Sequence, residues 1–254
     1  MAPSISSSRL RREARSALAP VRLRAAGVTL LCALLSILPP AAALGLAALS
    51  LWDQPFLFPA QLVLLEGLAA VCAWYMLAAG TGYVSYTLRL SRGEEAGCWC
   101  LLEGFARPGR VLAVALALLV RLLPWIILTA LALWGGIWAV EWAGYWALLL
   151  LLPCGAGLLC LWVWLALRCA LVPFLLVDQP GLGPFRVVER SSSWMRGRKG
   201  ALLLLRLSFL GWGILSVLTL GLLGLWSCPY FRTANARFYD TVQDQEEIHM
   251  PLTF

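Results

Sequence analysis

The stretch VLAVALALLVRLLPWIILTALALW, residues 111–134, decides the fold of this chain, because it can cross a bilayer and contains only one charged residue. A transmembrane helix needs about 20 mainly apolar residues. Similar apolar runs recur on both sides of this stretch, and the whole chain is 61% hydrophobic and only 13% charged. The sequence therefore predicts an all-α integral membrane protein, built as a bundle of membrane helices.

The basic residues are confined to alternate gaps between the apolar runs. The chain has 20 Lys and Arg, and all except Arg121, Arg168 and Arg206 lie in the clusters 9–24, 89–92, 107–110, 186–199 and 232–237. Loops rich in Lys and Arg stay in the cytoplasm, so this pattern predicts that both termini are cytoplasmic. The net charge of +7 then favours the lipid bilayer and its anionic headgroups as partners, and not nucleic acid.

We divide the chain into a basic amphipathic segment (1–24), a single multi-pass membrane domain (25–242) and a cytoplasmic tail (243–254). The domain is expected to contain about six membrane helices in three hairpins. Prolines and glycines suggest where helices bend or end. The predicted spans are 25–51, kinked or divided at Pro39-Pro40; 59–86; a third from residue 111 to a break within 134–146; and 146–168, broken near 153–155.

The apolar segment 201–231 either crosses the membrane once or turns back. A single crossing would put Arg232 and Arg237 outside, against the charge pattern. We therefore predict a hairpin at 218–221 and a sixth helix over 222–242. Each hairpin follows an amphipathic basic segment, and the similar sequences at 15–18, 103–107 and 192–197 suggest an internal duplication.

The last third of the chain contains the segments SSWMRG (192–197), LSFLGW (207–212), PY (229–230) and ARFY (236–239). These segments resemble the bacterial multi-pass membrane family known as domain of unknown function 975, and the resemblance extends from about Arg9 to Tyr239. It implies a protein of the bacterial cell membrane without an established activity. The residues that carry the family pattern are Trp194, Met195, Gly197, Ser208, Phe209, Trp212, Pro229, Tyr230 and Tyr239. We expect them to pack at the base of the last hairpin, with Ser208 and Trp212 placed for hydrogen bonds between helices.

The sequence offers no catalytic or metal-binding pattern. It lacks a phosphate-binding glycine loop and a nucleophile elbow, and its single His cannot form a paired-histidine metal motif. The 8 cysteines lie in apolar runs or in a predicted cytoplasmic loop, where reduced thiols are expected. We predict no enzyme activity, no cofactor and no metal.

Four ionisable residues lie inside apolar runs: Glu66, Arg121, Arg168 and Arg206. A charge at the centre of a bilayer costs at least about 2.5 kcal/mol, so each one needs a partner, water or a route to the surface. Arg168 and Arg206 lie near predicted helix ends. Arg121 lies ~15 Å along the helix from Arg110, near the predicted middle of the span. A pair between Glu66 and Arg121 would be either structural or part of a site for an anionic or proton-coupled ligand.

These observations favour a protein that binds or transports an amphipathic, lipid-like or anionic substrate, with Arg121 facing the anionic group. The alternative is a membrane scaffold or assembly partner without a ligand, which would bind another membrane protein. The aromatic residues between 134 and 146 are expected to form an external interfacial belt.

Overall fold

The computed structural model describes residues 6–51, 59–144 and 146–249, and all regular secondary structure in them is helical. The predicted all-α class is therefore confirmed. The α-helices are α1 (Ser7–Leu18), α2 (Arg22–Leu51), α3 (Pro59–Arg92), α4 (Glu103–Ala106), α5 (Pro108–Ala143), α6 (Trp146–Arg168), α7 (Val172–Asp178), α8 (Pro184–Trp194), α9 (Lys199–Leu207), α10 (Leu210–Leu218) and α11 (Gly224–His249), with short 3₁₀ helices at Ala19–Val21 and Cys98–Leu102.

Five helical segments in the described residues are long and apolar enough to cross a membrane, as expected for a multi-pass membrane protein. They are Ser7–Leu49, Val63–Arg92, Pro108–Trp142, Leu151–Asp178 and Lys199–Leu218. Helix α11, the predicted sixth membrane element, forms but is not among them. Its sequence from Arg232 onward is rich in charged and amide side chains, and much of it is buried against α1, α2 and α3.

The apolar helices are exposed over much of their length. In four of the five segments, at most 17% of the most apolar window is buried inside the protein. Leu131 and Leu133 on α5, Leu152 on α6 and Leu220 after α10 are all exposed. Continuous apolar surface of this extent is unfavourable in water but matches the hydrocarbon of a bilayer.

Burial is concentrated at the opposite, basic end of the bundle. Helix α1, which lies in the predicted amphipathic segment, packs there through Leu10, Ala14 and Leu18. The same core contains Leu175 of α7, and also Val187, Trp194, Phe238 and Tyr239. Phe185, near the start of α8, is exposed. The basic end is thus a packed domain from which the apolar helices extend.

Prolines do not divide the helices as predicted. Helix α2 continues through Pro39 and Pro40, and α6 continues through Pro153. Helix α5 passes Gly135 and Gly136 and ends at Ala143, before Gly144 at φ 60°, so the break predicted within 134–146 is confirmed. In an apolar environment the neighbouring backbone groups have no water to bond, which favours keeping the remaining helical hydrogen bonds. Trp134, Trp138 and Trp142 therefore lie exposed on a helix; Tyr145 lies outside the described residues.

The predicted hairpin near 218–221 is present. Leu220 and Gly221 have positive φ values of 51° and 86°, and the Gly221 amide donates to the Ser216 carbonyl at 2.8 Å. The chain reverses there and enters α11, which continues past the predicted end at residue 242 to His249.

The three hairpins are α2–α3, α5–α6 and α9/α10–α11, and each packs against an amphipathic segment that belongs to another unit. Helix α3 packs on residues 98–106, which we call the first junction. Helix α5 packs on α8 at the second junction, and α11 packs on α1 at the third. Each hairpin therefore contacts the segment of the following unit, and the last hairpin returns to the first segment.

Candidate functional site

The second junction contains an open cavity of 490 Å³ between α5, α6 and α8. Arg121 comes from α5 and Arg168 from the end of α6, while Ser192 comes from α8. The remaining lining is mainly apolar and includes Pro124, Trp125, Leu128 and Leu165. Two cations thus share an otherwise mostly apolar cavity.

The hairpin geometry moves Arg121 from the predicted mid-membrane position to the basic end. Helix α6 has 23 residues between the hairpin turn and Arg168, which is ~34 Å of helix, whereas the hydrocarbon core is ~30 Å thick. The α5 segment from Arg121 to Ala143 has the same length. Both arginines therefore lie at similar distances from the turn. The depth of Arg121 in the membrane was estimated from its distance to Arg110. However, the first turns of α5 pack inside the basic domain through Val114 and Ala117, so the span begins later than Arg110.

The predicted pair between Glu66 and Arg121 does not form. Both residues are exposed, and no ion pair in the described part of the chain joins them. The cavity residue that accompanies Arg121 is another cation, Arg168. The sequence could identify the unusual charges but not their neighbours, because those neighbours come from different hairpins.

Arg168 is held in position by neutral partners. Its Nε donates to the Ser192 hydroxyl at 2.5 Å, and the Ser191 hydroxyl donates to its carbonyl at 3.0 Å. Its guanidinium lies 5.2 Å from the centre of the Trp164 ring, and the Lys199 ammonium lies 4.1 Å from the same ring. Within the described residues, none of the three cations Arg121, Arg168 and Lys199 forms an ion pair.

At the first junction, the corresponding arginine is neutralised by a carboxylate. Arg89, near the end of α3, pairs with Glu103 at 2.6 Å, and the Ser85 hydroxyl donates to the same carboxylate. When the segments 103–107 and 192–196 are aligned on their Arg and aromatic residues, Glu103 corresponds to Ser192. The second junction thus has a neutral hydroxyl where the first has a carboxylate, and Arg168 keeps its full positive charge.

Arg206 does not join this cavity. It lies on α9, is half-buried, and its Nε has no hydrogen-bond partner. The four ionisable residues singled out in the sequence therefore do not form one site. Only Arg121 and Arg168 come together.

Most residues of the family pattern are packing residues, as expected. Trp194 and Met195 are buried, and the Trp194 ring lies 6.1 Å from that of Tyr239. Gly197, with φ 75°, turns the chain after α8. The Phe209 ring lies 4.9 Å from that of Tyr230, across the last hairpin.

The expected hydrogen bond between helices from Ser208 is not formed. The Ser208 hydroxyl donates to the Leu205 carbonyl at 2.6 Å, within its own helical segment. A serine inside a helix often satisfies its hydroxyl this way. Trp212 is exposed and, with Pro229 and Tyr230, lines a groove next to α1.

A partly buried polar network at the basic end has no sequence signal. Arg92 of α3 bonds Asp178 of α7 at 2.6 Å and Asp240 of α11 at 3.1 Å. The Tyr239 hydroxyl donates to Asp178 at 2.8 Å, and the Ser91 hydroxyl donates to Asp240 at 3.1 Å. Burial, followed by the Asp178 charge, raises the pKa of Tyr239, so its hydroxyl stays protonated as the donor. Sequence spacing cannot reveal this network because it joins three distant helices.

Comparison with known proteins supports the family resemblance over one part of the chain. Residues 156–246 match the model of a family described as Protein of unknown function (DUF975). This region runs from within α6 into α11 and includes Arg168 and Ser192, whereas Arg121 lies before it. No curated protein and no solved structure matches the chain.

Proposed function

We propose that this chain, with its match to a family of unknown function, is a multi-pass protein of the bacterial cell membrane that binds or transports an amphipathic molecule with an anionic headgroup. Both termini lie in the cytoplasm, and the role is binding or movement and not enzymatic catalysis. The observation that carries the proposal is the pair Arg121 and Arg168 in one cavity, whose lining contains no carboxylate in the described part of the chain.

Charge supports an anionic ligand at this cavity. Two guanidinium groups that line one mostly apolar cavity repel each other, so an external anion stabilises them. Arginine also offers planar paired donors that suit a phosphate or carboxylate. The Ser192 hydroxyl fixes the orientation of the Arg168 guanidinium and leaves the charge for the ligand.

The apolar lining supports a ligand with a hydrocarbon part. Pro124, Trp125 and Leu128 follow Arg121 along α5 towards the hairpin turn. A headgroup beside the two arginines would therefore place an acyl or prenyl chain along α5, in the hydrocarbon layer. The similar distance of Arg121 and Arg168 from the turn suits a headgroup at the cytoplasmic interface.

Native mass spectrometry of the protein purified in a mild neutral detergent tests this proposal. We expect wild type to retain a stoichiometric anionic amphiphile, and Arg121→Gln and Arg168→Gln to lose it. Arg12→Gln is the matched control, because it removes the same charge from an exposed position on α1.

Equal ligand occupancy in wild type and both cavity variants would contradict the proposal. A stoichiometric protein partner in all samples, with no ligand in wild type, would favour the scaffold alternative. Circular dichroism on the same samples shows whether each variant keeps its helical fold.

A further inference from the structure

The third junction contains a second cationic groove, formed where α11 of the last hairpin packs on α1. The groove has a volume of 430 Å³ and is lined by Arg15, Arg22, Trp212, Leu223, Trp226 and Tyr230, among others. Its walls come from the two ends of the chain. It is separate from the Arg121 cavity and shares none of its lining residues.

The charge in this groove is not balanced by the protein. Arg15 and Arg22 are exposed, and neither forms an ion pair among the described residues. Among the residues that the structure describes, none of those that line the groove is acidic. Arg15 lies 5.9 Å from the centre of the Tyr230 ring, which positions its guanidinium at the edge of the apolar wall.

The rest of the groove is suited to a hydrocarbon chain at a membrane interface. Trp212 is 47% exposed and Trp226 is 55% exposed, although both are large and mainly apolar. Tryptophan is enriched where a membrane meets water. Tyr230 anchors the opposite side, because its hydroxyl donates to the Arg11 carbonyl on α1 at 3.3 Å.

We infer that the groove at the third junction binds one anionic phospholipid, with its phosphate between Arg15 and Arg22 and its acyl chains against Trp212, Leu223 and Trp226. The lipid fastens α1 to the last hairpin and so completes the ring of junctions. A different group then balances the arginine charge at each junction. It is Glu103 at the first, the transported or bound amphiphile at the second, and a structural lipid at the third. This inference does not depend on the proposed function of the second cavity.

The test compares lipid-dependent stability of the full-length protein. Wild type in neutral detergent is titrated with phosphatidylglycerol, with phosphatidylcholine and with inorganic phosphate, and Tm is measured by intrinsic tryptophan fluorescence. The double variant Arg15→Gln/Arg22→Gln is compared with Arg12→Gln/Arg24→Gln, which removes two exposed arginines outside the groove.

We expect phosphatidylglycerol to raise Tm in wild type and in the control pair. The groove variant should bind it about 25-fold more weakly, since each of the two arginines near an anionic headgroup contributes about a fivefold factor. The groove substitutions should weaken phosphatidylglycerol binding by the same factor when Arg121→Gln is already present, which separates this inference from the proposed function. An equal rise with phosphatidylcholine or with phosphate alone, or an unchanged rise in the groove variant, would overturn the inference.

A photoreactive phosphatidylglycerol provides a readout on wild type that needs no variant. Cross-linked peptides should contain residues of the groove wall between Trp212 and Trp226. Cross-links found only elsewhere on the protein would refute the lipid site, even if the double variant failed to fold.

Discussion

At the scale of the residue, the first and second junctions differ in one side chain, which decides whether the protein itself neutralises the arginine at the junction. Glu103 neutralises Arg89 at 2.6 Å, whereas Ser192 only orients Arg168. The sequence showed Arg168 as unusual, but it could not show which residue faces it. That information depends on the approach of α8 to α6, which no local pattern encodes.

Ser192→Glu should therefore convert the second junction into a copy of the first. The new carboxylate is expected to pair with Arg168 and to displace an anionic ligand, leaving occupancy at least about tenfold lower in native mass spectra. Ser193→Glu adds the same charge at the neighbouring exposed position and should leave the ligand bound. Retention of ligand by Ser192→Glu would mean that Arg168 does not contact the anionic group.

Tyr239→Phe should destabilise the basic end by about 2 kcal/mol, because it removes a partly buried hydrogen bond to the charged Asp178 carboxylate. The loss should be seen as a lower denaturant midpoint for unfolding in detergent. Tyr75→Phe is the control; Tyr75 is half-buried against Phe105, 5.2 Å between ring centres, and its change should be close to neutral. Similar midpoints for the two variants would show that the Asp178 bond contributes little.

At the scale of the element, apolar length was a better guide than helix-breaking residues. The runs before and after the second basic cluster appear as α3 and α5, and the break between α5 and α6 falls within the predicted range 134–146. However, Pro39-Pro40 does not divide α2 and Pro153 does not break α6. Propensities reflect a chain that can exchange its helical hydrogen bonds for bonds to water, and that exchange is absent in hydrocarbon. Helix α11 ran past its predicted end because Arg198 pairs with Glu246 at 2.6 Å and supports the polar last turns.

Gly104→Ala tests the fit between elements at the first junction. A Cβ at Gly104 would overlap the Ala78 carbonyl oxygen and approach the Thr81 hydroxyl, so α4 would have to move away from α3. We expect a loss of at least about 2 kcal/mol in the free energy of unfolding, typical of overpacking. Gly109→Ala, at the start of α5 with open space around it, should have little effect on the same thermal unfolding curve. Equal stability of both variants would contradict this close packing.

At the scale of the whole molecule, the charge pattern predicts one orientation for all three hairpins. An alkaline phosphatase reporter, active only outside the cytoplasm, should be active when inserted at Gly144 and inactive after residue 249 or in the loop at Gly93. The turn at Leu220-Gly221 returns α11 to the basic end, so the C-terminal result is the informative one. Activity of the C-terminal reporter would contradict the predicted cytoplasmic position of that end.

The number and order of the hairpin units could be predicted from the sequence, but their closure into a ring could not. Similar segments at 103–107 and 192–197 indicated repeated units along the chain. The contact between α1 and α11 joins residues from opposite ends of the sequence, such as Tyr230 and Arg11. Neither hydropathy nor charge spacing specifies a partner at that separation.

The uneven burial has a mechanical consequence for the membrane around the protein. The helices pack closely at the basic end and only loosely at the apolar end. The spacing between the helices at the apolar end should therefore depend on how tightly the surrounding acyl chains press on them. We therefore expect the conformation of the apolar end to depend on acyl-chain packing and bilayer thickness, whereas headgroup charge acts at the basic end.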